Sequence, residues 1–131
     1  MAYNDFFGEI DRCLGVAPVG VIRVLAAAGA TPNPLFAIGG IQVSITIFDV
    51  MVIPTAASGG GTLTVETDIA GAGVVALTNA MACAVIGTVA RTALIDHTTT
   101  GQDVVGPLDA VQATKNAAAD EGLVHLIFHL T

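Results

Sequence analysis

The 131-residue chain contains no tryptophan, one tyrosine (Tyr3), two cysteines and four basic residues, Arg12, Arg23, Arg91 and Lys115. Each scarcity excludes a class of function. With eleven acids the net charge is −7 and no basic cluster exists, so phosphate backbones are repelled and no nucleic-acid partner is expected. Without tryptophan, and with Tyr3 as its one tyrosine, the chain is badly equipped to stack sugars. Neither Cys13 nor Cys83 has a Cys or His neighbour that would activate a thiolate, and both are expected to be small buried hydrophobes, not a disulfide. Neither serine, Ser44 nor Ser58, stands in a Gly-x-Ser-x-Gly elbow. Charged residues make up 11% of the chain, against about 25% in an average globular domain. So few charges cannot cover a monomer of this size, so a homo-oligomer, a dimer or trimer, is expected.

Long apolar runs raise the question of a membrane. Between Asp68 and Arg91 no residue is charged, a length sufficient for a transmembrane helix. Ala, Gly, Thr78 and Asn79 dilute that run, and it has neither interfacial aromatics nor a basic flank. A second uncharged run, from Val24 to Phe48, holds Pro32, Asn33, Pro34, Gly39 and Gly40, which read as a loop. No membrane partner is expected. The first thirteen residues, MAYNDFFGEIDRC, are too acidic for a secretory signal, which points to synthesis in a cytoplasm.

Alternation of apolar and polar residues predicts strands. Ile41–Ile47 alternates strictly; the following FDVMVI is apolar on both faces except at Asp49, implying a bulge or a second layer above it, with Pro54 as its end. Ser58–Gly61 reads as a turn and Thr62–Asp68 as the second strand of a hairpin. Further strands are predicted over Val19–Ala28, Thr88–Asp96, from Leu108, and over Leu123–Leu130. In the last of these, Val124, Leu126, Phe128 and Leu130 lie on one face and His125, Ile127 and His129 on the other. Ala, Leu and Met favour a short helix near Leu77–Ala84. The expected fold is all-β in the main: a jelly-roll-like β-sandwich or barrel over residues 16–131, with one short helix, preceded by an arm or short helix over residues 1–15. Within that segment Phe6, Phe7, Ile10 and Leu14 can share one helical face, with Asp5 as N-cap. They are candidate interface residues, docking either on a neighbouring subunit or on the chain's own β domain.

Chemistry-bearing patterns are missing. The SGGG stretch lacks the Gly-Lys-Ser/Thr ending of a phosphate-cradling loop. His125 and His129 project from the same face of a strand about 13 Å apart, too far to share a metal. The eleven acids form no constellation. No catalytic residue, cofactor or metal is therefore expected, and the chain reads as something other than an enzyme.

The alternating IQVSITIFDV, the GGGTLTVETD segment, LTNAMACA before GTVARTALID, and the closing Ala-Asp-Glu-Gly-Leu-Val-His-Leu-Ile-Phe are together similar in order to the small decoration, or cement, proteins of tailed-bacteriophage capsids. The resemblance implies a β-rich protein on the outer surface of a virion, with the major capsid protein as partner, tying neighbouring capsid subunits together. It carries no catalytic residues. Rival readings are a receptor- or carbohydrate-binding jelly-roll module, a cupin-like enzyme and a small membrane protein.

Overall fold

Side chains that alternate between core and solvent at every second position build this protein. The computed structural model describes residues 19–29, 31–57, 60–93, 95 and 102–131. Within them run β1 (Val19–Ala26), β2 (Asn33–Phe36), β3 (Ile45–Ala56), β4 (Thr62–Ile69), β5 (Gly73–Ala76), β6 (Met81–Ala82), β7 (Ala90–Arg91), β8 (Val104–Val105), β9 (Ala110–Lys115) and β10 (Glu121–Leu130). One antiparallel sheet has the order β1-β10-β3-β7, with β8 also on β3; the other has the order β2-β9-β4-β5, with β6 also on β4. Their inward faces share one core. Ile45, Ile47, Val50, Val52, Val124 and Leu126 come from the first sheet and Leu35, Leu63, Val65, Met81, Val111 and Ala113 from the second. Fully burying each larger aliphatic side chain stabilises the fold by roughly 1.5–3 kcal/mol. The arrangement is an all-β, sandwich-like pair of sheets.

Three predicted features are corrected. No helix occurs among the described residues, and Leu77–Ala84 is extended along the edge of β4. There Leu77 N donates to Val65 O, Val65 N donates to Thr78 Oγ1 at 3.0 Å, Met81 pairs with Leu63, and Cys83 N donates to Gly61 O. Helix propensity is a weak preference, and an open strand edge with alternate burial of Met81 and Cys83 overrides it. The two central strands, β3 and β4, do not form a hairpin; the glycine-rich link carries the chain from one sheet to the other. Gly61 lies on that link under the Asp120 carboxylate, where a Cβ would fall 1.5 Å from Oδ2, so no larger residue fits. Pro54 does not end β3. It sits opposite Gly122 beside a register shift, where a missing N–H is tolerated.

Boundaries moved elsewhere for similar reasons. The strand predicted to begin at Ile41 begins at Ile45, and of the described residues in the one predicted over Thr88–Asp96 only Ala90–Arg91 is a strand. The bulge expected in FDVMVI is present: Asp49 pairs with Ile127 and Ile47 with Phe128, leaving Phe48 as the extra residue. Gly20 belongs to β1, and a Cβ there would meet the Phe128 ring at 2.6 Å.

Candidate docking surfaces

Two buried groups at the end of the sandwich where β1 finishes and β10 begins are the natural place to look for chemistry. Lys115 ends β9 pointing inward, almost wholly buried. Its ammonium donates to the carbonyls of Ala27 at 2.5 Å, Asp120 at 2.8 Å and Ala118 at 3.4 Å. Thr31 Oγ1 joins the same strand end by accepting from Lys115 N and donating to Lys115 O. All three donors of the ammonium are thus committed to main-chain oxygens from two connections, a bracing role.

Cys83 lies nearby, fully buried and free, its Sγ donating to Glu121 O at 3.7 Å. Burial pushes the thiol above its ordinary value of 9.0, the charge of Asp120 adds to this, and Lys115 opposes it. The sulfur is a protonated, packed group at neutral pH. Alkylation of Cys83 by iodoacetamide at pH 7.5 is therefore expected only after denaturant is added, which peptide mass mapping would read; rapid modification of the folded chain would contradict the burial. Since the folded thiol ionises above the unfolded one, its stabilising contribution is complete below about pH 9 and fades as pH rises further. Cys13 lies outside the described residues.

The histidines follow the sequence reading. His125 and His129 lie on the outward face of β10, His129 stacked on Phe48 at a ring separation of 5.7 Å. No group of three metal-ligating side chains comes together among the described residues. No helix among them is long and apolar enough to cross a membrane.

The surface is where the sequence's shortage of charge becomes visible. At the end of the sandwich where β1 starts and β10 finishes, Ile38 and Leu108 stand 68% and 70% exposed on neighbouring turns. Gly39 N donates to Pro107 O at 2.8 Å, tying the two turns together. Asp109 braces the second turn, accepting from Gly106 N through Oδ2 and, through Oδ1, from Ala70 N in the turn after β4, both at 2.8 Å. Val43 and Leu130 are exposed at the same end. Toward the opposite end, a turn at Val85–Thr88 exposes Val85 and Ile86, with Val89 beside them, and Gly87 N donates to Pro54 O of β3 at 2.9 Å. Turn tips ordinarily carry polar residues, so the apolar tips at both ends depart from that pattern.

The four candidate interface residues Phe6, Phe7, Ile10 and Leu14 lie outside the described residues. Sequence reasoning missed both apolar tips, because single valines and isoleucines in turn-like stretches look like strand ends until the turns are placed. No family model and no curated protein matches the chain.

Proposed function

We propose that this protein is a structural virion component, a decoration or cement protein that binds the outer surface of a phage capsid and ties neighbouring major capsid subunits together. The observation that carries the reading is the placement of pinned apolar tips at opposite ends of one small sandwich, Ile38 and Leu108 at one and Val85 and Ile86 at the other. A protein that bridges two neighbours needs two separated contact surfaces on a stiff body, and a two-sheet sandwich between apolar ends meets that need. Net charge −7 suits a surface facing water and protein rather than packaged nucleic acid.

The strand order supports a jelly roll. Taking the short pairs β5/β6 and β7/β8 as one position each, the chain passes from sheet to sheet at nearly every step, and its first and penultimate positions lie beside its last and second. Jelly rolls of this kind are frequent in viral capsid proteins. Self-association as a dimer or trimer completes the reading, since a chain with 11% charged residues has little charge to cover a monomer's exterior.

Light scattering of the purified protein, then co-sedimentation with capsids lacking it, tests the proposal. An oligomer that pellets with capsids in saturable amounts is the expected outcome. A monodisperse monomer that stays in the supernatant would overturn it.

A further inference from the structure

A sheet edge is a row of main-chain donors and acceptors open to a partner, and three of the four edges of this sandwich are blunted. β2 has four residues, carries Pro34 and is broken by a register shift against β9. At the far edge of the same sheet β5 has four residues and β6 two, and in the other sheet β7 and β8 have two each along β3. β1 is different. It runs for eight residues, pairs with β10 along its whole length without a bulge, and contains neither proline nor lysine. Its other side has no partner strand among the described residues. Val19, Val21 and Leu25 stand exposed along it, with Arg23 as its one charge. A long, regular and apolar edge of this kind is a template for an added strand.

We propose that the added strand is β1 of a second copy, antiparallel across a two-fold axis, so that the two β1-containing sheets join into one; the inference rests on the self-association in the reading above and names its interface. Symmetry restricts the register. Opposite residues of an antiparallel pair share a face, so outer side chains meet outer side chains only where one residue of β1 lies opposite its own copy. Centring on Arg23 would set like charges against each other. Centring on Ile22 sets Arg23 opposite the partner's Val21 and Val19 opposite the partner's Leu25, and keeps Val19–Leu25 paired through about six to eight main-chain hydrogen bonds. Charge favours the same line. Between Arg12 and Asp49 the chain holds no acid and Arg23 is the one charged residue, so two copies of net charge −7 meet along a stretch free of carboxylates. The acids on neighbouring strands are engaged within their own copy, Glu121 by Ala28 N and Thr55 Oγ1 and Asp49 by Arg91. An edge about 26 Å long and two layers, about 20 Å, deep presents roughly 500 Å² per copy, at the lower bound of a specific interface and suited to a reversible dimer.

Val21→Lys and Val21→Glu test this in the full-length chain, because Val21 is exposed and each substitution acts twice in a two-fold dimer. Circular dichroism first checks that both variants keep the native β spectrum. Sedimentation equilibrium under reducing conditions is expected to give a dimer for the native chain. Val21→Lys, which faces the partner's Arg23, is expected to raise the dissociation constant at least about tenfold, and Val21→Glu to leave it no higher than native. Amide hydrogen exchange of residues 19–25 is expected to slow as protein concentration rises, while that of β2 and β5 does not. A monomer, a trimer, or a dimer indifferent to the sign of the charge at position 21 would overturn the proposal, as would exchange in β1 that ignores concentration. Co-sedimentation with capsids keeps the two readings apart. A monomer that still pellets with capsids overturns the β1 pairing alone, whereas a charge-sensitive dimer that stays in the supernatant supports the pairing and counts against the capsid reading.

Discussion

Lys115→Met is expected to lower the unfolding free energy by about 1–3 kcal/mol, the range for leaving buried hydrogen-bonding groups without their partner. Methionine retains most of the aliphatic stem but none of the donors, so the carbonyls of Ala27, Ala118 and Asp120 lose the ammonium that joins them. Those carbonyls belong to the connections after β1 and after β9, so the change loosens the end of the sandwich that also holds Asp120 and Cys83. Urea unfolding followed by circular dichroism would record a lower midpoint with an unchanged slope. Lys115→Arg is expected to be poor as well, because a planar guanidinium cannot direct three donors into a cage shaped for a compact ammonium. A loss below about 1 kcal/mol for Lys115→Met would mean that water replaces the ammonium at little cost.

Ile38→Asp with Leu108→Asp is expected to leave the melting transition almost unmoved while reducing capsid co-sedimentation at least tenfold. The two side chains stand on turns whose main-chain bonds, Gly39 N to Pro107 O and Gly40 N to Ala37 O, do not involve them. Little stability is therefore at stake, whereas burying two carboxylates in an apolar contact costs several kcal/mol. The matching pair Val85→Asp and Ile86→Asp separates bridging from simple adhesion. If each end holds a different capsid subunit, either pair of substitutions lowers binding and removes the protection of capsids against heat or chelators. Binding that survives both pairs would detach the tips from function altogether.

Strand signals were legible in the sequence wherever one face is buried and the other wet. Thr62–Asp68 and Leu123–Leu130 alternate clearly and lie within β4 and β10. Less legible was pairing, because alternation identifies a strand without naming its neighbour: β3 and β4 adjoin in sequence and belong to different sheets. The segment from Leu77 misled for a different reason, since its helix-favouring composition competes with a strand edge that exists only after β4 has paired with β9. The inward lysine was also hidden. Nothing in ATKNAAADEG marks Lys115 as buried until the strand brings it under the carbonyls of two connections. The low content of charge, by contrast, was already visible, and the exposed apolar tips are its local expression.

The order β1-β10-β3 has a consequence for how the protein is born. The strand that separates β1 from β3, and supplies hydrogen bonds to both, is the last of the ten to leave the ribosome. Until Glu121–Leu130 has emerged, β1 and β3 are unfinished edges rich in valine and isoleucine, the kind of surface on which nascent chains adhere to one another. The second sheet can zip earlier, because β9 precedes the turn into β10 and pairs with β4 and β2 independently. Synthesis thus runs through a half-built stage with one sheet waiting for its central strand, and final closure joins the two most distant stretches of the sandwich in a single late step.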